Sequence, residues 1–459
     1  MKSMTLTQIA KAINGKLYGV DPGHEVAGVV MDSRKVEKDY LFIASVGERV
    51  DGHSYISEVF DKGAIGVICE KAPLAPKGPY ILVDDSLTAL KRVAMWYRDQ
   101  LTIKVVGITG SVGKTSTKEF ISAVLEQKYQ VLKTEGNFNN EIGLPLTILR
   151  IRDHHQIAVL EMGISDFGEM HRLSEIAKPD ICVITNIGQC HLENLHSREG
   201  ILKAKSEIFD FLNEHGSVCI NGDDDMLATI KEVKGKRPIR FGLGSDNDVT
   251  ATDIITNGLF GSSCSIHVGH KPFHARIALP GTHMIMNALA ATTVGSLLDL
   301  TNREIEAALS CVKPVGGRSN ILHEKQWTII DDCYNANPVS MKTALDLLST
   351  AVNRRVAILG DMGELGINEA ILHKEVGEYA ASVGVDLLVC VGTLSLHMYQ
   401  GAKEQMDEAP TKASFQLVYF KNREELLASL KSIIQPEDAI LVKASHFMGF
   451  ETVVKALQE

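Results

Sequence analysis

Lys104-Val-Val-Gly-Ile-Thr109 followed by Gly110-Ser-Val-Gly-Lys-Thr115 is the stretch from which the fold can be read. Its first half is an apolar, β-branched run, the pattern of a strand buried on both faces. Its second half is glycine-rich, and Thr115 to Lys128 carries helical spacing. A strand, a glycine loop and a helix in that order make a phosphate cradle, because loop N–H groups and the positive end of the helix face anionic oxygens. Lys114 supplies a cation for the β- and γ-phosphates, and Thr115 offers a hydroxyl to Mg²⁺. On this reading Thr109, Gly110, Ser111, Val112, Gly113, Lys114, Thr115 and Ser116 form an ATP-binding loop. The spacing is unusual: the position six before Lys114 is Ile108, and the nearer glycines are Gly107 and Gly110. A plain glycine turn with a surface lysine would not account for the flanking strand and helix.

Downstream, Ile157-Ala-Val-Leu-Glu161 and Ile181-Cys-Val-Ile-Thr185 read as further buried strands with helical segments between them, which predicts a doubly wound parallel sheet. Ligands of such sheets sit beyond the C-terminal strand ends. That rule makes Glu161, and His191 in Asn186-Ile-Gly-Gln-Cys-His191, candidate metal ligands. Either reads equally well as a polar residue closing a strand, and most histidines are not ligands. The block ends in β-like alternation from Val249 to Leu279 and a helix from Met286 to Leu298.

Before this block, Tyr40-Leu-Phe-Ile-Ala44, Ile65-Gly-Val-Ile-Cys69 and Tyr80-Ile-Leu-Val83 alternate with Gly and Pro turns and close on a helix from Leu87 to Gln100. After it, from Gly316-Gly-Arg318, come Trp327-Thr-Ile-Ile-Asp331, Arg355-Val-Ala-Ile-Leu-Gly360, Asp386-Leu-Leu-Val-Cys-Val391 and Ala439-Ile-Leu-Val-Lys443. The expected fold is α/β in three domains: a small N-terminal α/β unit over 1–100, a central P-loop doubly wound parallel sheet over 101–315, and a Rossmann-like domain over 316–459. Lys205, in Ala204-Lys-Ser-Glu-Ile-Phe209, has the look of a surface lysine on an amphipathic helix. Asp331-Asp332 reads as a helix-capping pair after a strand.

Composition narrows the function. With 459 residues the chain exceeds one ordinary core, and a net charge of -10 argues against nucleic acid as a partner. No uncharged apolar run reaches the roughly 18 residues of a membrane span, and Met1 to Asn14 is interrupted by polar residues, unlike a signal peptide. A cytoplasmic protein is expected. Its eight scattered cysteines, without a Cys-x-x-Cys pair, predict free thiols. A switch-type NTPase is a poor fit, since the guanine-reading Asn-Lys-x-Asp pattern is absent and two further domains would stand unexplained.

With these segments assembled, the sequence resembles the ATP-dependent muramyl peptide ligases of peptidoglycan synthesis over nearly its whole length. Their loop has the Thr-Gly-x-x-Gly-Lys-Thr form found at Thr109 to Thr115. Four more segments carry the likeness: Gly136-Asn-Phe-Asn-Asn-Glu-Ile-Gly-Leu-Pro145, Asp331-Asp-Cys-Tyr-Asn-Ala-Asn-Pro338, Leu359-Gly-Asp-Met-Gly-Glu-Leu-Gly366, and Asp32-Ser-Arg34 with Asp51-Gly-His53. The branch that adds the third amino acid has Asp-Tyr-Ala-His-Thr-Pro where this chain has Tyr334-Asn-Ala-Asn-Pro338, and an Asp-Asn-Pro-Arg motif not found here. Folylpolyglutamate synthases share the core but lack the first domain. The resemblance therefore implies the branch that joins D-alanyl-D-alanine to UDP-N-acetylmuramoyl-tripeptide through an acyl phosphate, working as a monomer.

It also implies site roles. Lys114 and Thr115 would hold ATP and Mg²⁺, with Glu161 and His191 on the metal. Lys205 would become carbamylated and serve as an anionic ligand. Asn287 and Arg318 would approach the nucleotide and Asp331 its ribose. Asn139, Asn140, Tyr334, Asn335 and Asn337 would face the acceptor or phosphates, and Ser33, Arg34, Asp51 and His53 the UDP end. One segment departs from the family: Lys443-Ala-Ser-His446 stands where Lys-Gly-Ser-Arg is usual. Histidine lacks the permanent charge and fork of arginine, so a different hold on the incoming carboxylate is expected.

Overall fold

Lys104–Thr109 forms a strand in which every residue after Lys104 is buried. It lies inside a six-stranded sheet ordered Ile239–Phe241, Ser217–Asn221, Ile181–Ile184, Lys104–Thr109, Ile157–Glu161, Val131–Lys133. All five pairings are parallel. Parallel neighbours need crossover connections, so both faces become covered and the strands read as continuous apolar runs. The chain first builds one side of Lys104–Thr109 and then the other, which opens a crevice beyond the C-terminal strand ends. The computed structural model describes residues 4–47, 50–269, 271–408 and 415–459, so Met1–Ser3 of the opening stretch lie outside the described residues.

The loop is followed by a helix, Lys114–Leu125, whose Phe120, Ile121, Val124 and Leu125 are fully buried. Packed against it is Thr282–Leu297, buried on most of its circumference. The helix begins four residues before the expected Met286, with Thr282 and His283 opening it and Met284 and Ile285 already buried. A Cβ on Gly295 would sit 2.7 Å from Val124, so glycine lets the two helices approach closely. The expected β-like stretch is a three-stranded antiparallel sheet of Thr250–Thr256, Ser262–His267 and Phe273–Ile277. Ser262–His267 alternates buried and half-buried residues, and its Cys264 and Ile266 join the same core.

The first domain is a five-stranded sheet, parallel except for Lys16–Tyr18 at one edge. Its helix Ser86–Asp99 joins it to the central domain: Tyr97 donates to the Ile151 carbonyl at 2.7 Å, and Arg98 to the carbonyls of Ala177 (2.8 Å) and Lys178 (3.1 Å). The last domain is a six-stranded sheet ordered Asn320–His323, Thr328–Asp331, Ala439–Lys443, Arg355–Gly360, Leu387–Val391, Gln416–Phe420, with only the first strand antiparallel. The α/β architecture in three domains is thus the one expected.

Two local readings are corrected. Asp331 and Asp332 cap no helix; Asn337 does, accepting from the Ser340 N–H at 2.9 Å, with Pro338 opening the helix Pro338–Ser349. Lys205 is not a surface residue but fully buried, at the end of Arg198–Ser206. All eight cysteines are free, and only Cys311 is exposed. Among the described residues no helix is long and apolar enough to cross a membrane.

Candidate active site

Backbone geometry comes first, because the loop must expose N–H groups without collapsing. Gly110 has φ 152° and Gly113, which caps the following helix, has φ 82°. A Cβ on Gly110 would lie 1.9 Å from the Thr185 hydroxyl oxygen. The loop is clasped by the end of the neighbouring strand. The Asn186 side chain accepts from the Val112 N–H (2.9 Å) and donates to the Val112 carbonyl (2.9 Å), while the Thr185 hydroxyl donates to that same carbonyl (2.7 Å). Lys114 Nζ curls over its own loop to the Gly110 carbonyl at 2.8 Å. Gly110→Ala should cost about 1–3 kcal/mol through the clash alone. The expected outcome is a lowered melting temperature together with weakened ADP binding; a variant melting like the wild type would contradict this packing.

Beside the loop, Glu161 is buried, with its two oxygens divided. Oε2 accepts from the Thr115 hydroxyl at 2.8 Å, and Oε1 from the Asn139 amide at 2.8 Å. Its own N–H donates to the Thr134 hydroxyl at 3.0 Å. His191 follows the next strand in a left-handed conformation, φ 51°, and its Nδ1 lies 2.6 Å from Glu364 Oε2 in the last domain. The two are close but out of line for a straight hydrogen bond, so Nδ1 has no hydrogen-bond partner among the described residues.

Lys205 Nζ is buried without a hydrogen-bond partner among the described residues. Burial holds its ammonium down to about 8; Cys190 nearby opposes this, and the charge of Lys114 adds to it. An unpaired ammonium in such a place is costly.

The facing wall comes from the last domain. Arg318 lies 4.1 Å over the Tyr334 ring, and His446 packs on the same ring at 5.5 Å in a tilted arrangement. Asp332 pairs with buried Lys443 at 2.5 Å and accepts from the Ser319 N–H at 2.8 Å. Asn287, from the helix behind the loop, accepts from the Thr117 hydroxyl at 2.8 Å. Between the loop side and this wall lies one cavity of about 760 Å³, shared by the central and last domains, and His446 is not part of its lining. Of the residues expected at the site, Ser111 to Ser116, Asn139, Asn140, Glu161, His191, Asn287, Arg318, Tyr334, Asn335 and Asn337 line it. Thr109, Gly110 and Lys205 lie outside that lining. So does Asp331: it is buried, and accepts from the Gly317 N–H at 2.8 Å, while Asp332 reaches the cavity.

Three family models cover most of the chain in order: the Mur ligase family catalytic domain over 25–97, the Mur ligase middle domain over 108–295, and the Mur ligase glutamate ligase domain over 317–446. A Bacillus subtilis UDP-N-acetylmuramoyl-tripeptide--D-alanyl-D-alanine ligase is 38% identical, covering 100% of this chain and 99% of its own. The chain belongs to the Mur ligases, in the tripeptide--D-alanyl-D-alanine ligase branch. Solved Mur ligases agree in fold: MurF from Acinetobacter baumannii superimposes with a TM-score of 0.91 at 31% identity, over 99% of this chain and 98% of that one. A Thermotoga maritima MurF ligase in complex with ADP gives 0.82 at 29% identity, over 94% and 97%. The chain is accordingly an ATP-dependent ligase.

The first-domain candidates of this Mur ligase lie away from the cavity lining. Ser33, Arg34, Asp51 and His53 sit in turns after Gly28–Val30 and Tyr40–Ile43, adjacent parallel strands. The Arg34 side chain is exposed and, among the described residues, is paired with Asp32 at 2.8 Å. His53 is tied at both nitrogens, to Asp51 (2.6 Å) and to the Glu70 N–H (3.0 Å). Lys35 sits 5.8 Å over the Phe138 ring, joining this turn to the Gly136–Asn140 segment of the central domain. The sequence reading passed over Asn186, Asp332 and Glu364. Asn186 could have been found from its place just after a parallel strand; the other two depend on partners far away in sequence.

Proposed function

We propose that this chain joins the amine of D-alanyl-D-alanine to the terminal carboxylate of UDP-N-acetylmuramoyl-tripeptide, with ATP phosphorylating that carboxylate first. A carboxylate is a poor electrophile and oxide a poor leaving group, and an acyl phosphate solves both problems. The observation that carries the reading is the single cavity shared by the Lys114–Thr115 cradle and the Arg318, Tyr334 and Asn337 wall of the last domain. Phosphoryl transfer needs two anions brought together and their repulsion neutralised, which is the work of Lys114 and of the loop N–H groups. Closure of the two domains over the shared cavity would keep water from a hydrolysable intermediate.

The residues present fit Mg²⁺. Thr115 and Glu161 offer hard oxygen donors beside the phosphate cradle, as this ion prefers. His191 and a carbamylated Lys205 would complete the set. The ion would neutralise charge on the transferred phosphoryl group. Carbamylation is supported by the buried, unpartnered Lys205 amine: a neutral amine adds CO₂ and releases a proton, leaving an anionic carbamate. Arg318 and Asn287 would flank the nucleotide, with Asp331 holding the Gly317 turn toward its ribose. The Ser33–Arg34 and Asp51–His53 turns would take the UDP end. The domain boundaries near 100 and 315, the monomeric state and the cytoplasmic location belong to the same proposal.

Incubation with ATP, Mg²⁺, UDP-N-acetylmuramoyl-tripeptide and D-alanyl-D-alanine should give a product heavier by the dipeptide less water, with one ADP released per product. ADP release independent of the dipeptide, with no heavier product, would overturn the reading.

A further inference from the structure

We propose that Glu364 is the positioning residue for His191, so that the last domain finishes the metal side of the site only when it closes on the central domain. The inference rests on the proposed Mg²⁺–ATP reading of the cavity. Glu364 Oε2 lies 2.6 Å from His191 Nδ1 across the domain boundary, and both residues line the cavity. Each sits at positive φ, 61° for Glu364 and 51° for His191, a region that side-chain-bearing residues avoid unless their surroundings impose it.

The surroundings of Glu364 are tightly fastened. Asp361 accepts from the N–H and hydroxyl of Ser395 at 2.7 and 2.6 Å. The Met362 N–H donates to buried His373, and the Gly363 N–H to the Ser445 hydroxyl, each at 2.9 Å. Leu365 is buried beside them. The loop is therefore anchored to its own domain just before and just after Glu364 and presents one carboxylate to the other domain. At Gly366, φ 65°, a Cβ would stand 3.5 Å from the Glu193 backbone, so the two domains touch along this line.

A carboxylate on one imidazole nitrogen fixes the ring and its tautomer and leaves the second nitrogen for the cavity. The present pair is close but not aligned, the geometry of a catalytic contact that tightens when substrates bind. The Glu364 side chain is 62% exposed. Exposed ion pairs contribute little to stability, so loss of the carboxylate should be felt in function and not in folding.

The test compares wild type, Glu364→Ala, Glu364→Gln, His191→Ala and the double Ala variant. Mn²⁺ binding in the presence of ADP is followed by electron paramagnetic resonance, beside kcat and melting temperature. Glu364→Ala should weaken Mn²⁺ about tenfold or more and lower kcat, at an unchanged melting temperature. Glu364→Gln should recover part of both, and the double variant should be no worse than His191→Ala. Wild-type Mn²⁺ affinity in Glu364→Ala, or losses that multiply in the double variant, would overturn the positioning role alone. Wild-type Mn²⁺ affinity in His191→Ala would overturn the metal reading beneath it as well.

Discussion

Lys114→Ala should abolish ADP release with all substrates present, with a fall in kcat of at least about a hundred- to a thousandfold, the usual consequence of removing one preorganised charge-stabilising group. The reason lies in the arrangement of the loop. Three of its features hold shape: Gly110 fits against Thr185, Gly113 starts the helix, and Asn186 clasps Val112. None of these supplies a full positive charge. Lys114 does, and among the described residues it bonds only to the Gly110 carbonyl at 2.8 Å, within its own loop. That bond is a parking position that a triphosphate would replace. The substitution leaves the brace intact, so the variant should melt like the wild type and still bind ADP, more weakly. A single-turnover assay that recovers normal phosphoryl transfer would show that the charge comes from elsewhere.

The difference between shape and charge also marks what the sequence discloses. Lys104–Thr109 and Ile157–Glu161 were readable because a strand buried on both faces must be apolar throughout. Glu161 was readable because the C-terminal ends of such strands face the crevice. Lys205 was misread from pattern alone, although Ile201 lies four residues before it and thus on the same face of the helix. That face is the buried one. Asp332 and Glu364 carry no comparable signal. Their partners, Lys443 and His191, lie 111 and 173 residues away, and only the assembled domains bring each pair together. Asp331 and Asp332 illustrate the limit: adjacent and chemically identical, one holds a turn and the other faces the cavity.

Lys205→Ala should be inactive in product formation and partly restored by short carboxylic acids such as formate or acetate. Two observations lead there. The Lys205 side chain is fully buried, so its truncation leaves a cavity able to admit a small molecule, and its amine has no partner among the described residues. A buried cation with nothing to pair with is expensive, whereas the carbamate formed from the neutral amine and CO₂ is an anion that a metal ion can satisfy. In the truncated variant a free carboxylate occupies the same space with the same charge, without the covalent tether that holds it in place. Rescue should therefore saturate at millimolar acid and stay below the wild-type rate. Acetamide of equal size gives the control: it fills the cavity without charge and should not rescue. Equal rescue by acetamide would reduce Lys205 to a packing residue, and full activity of Lys205→Ala without any addition would remove it from the site altogether.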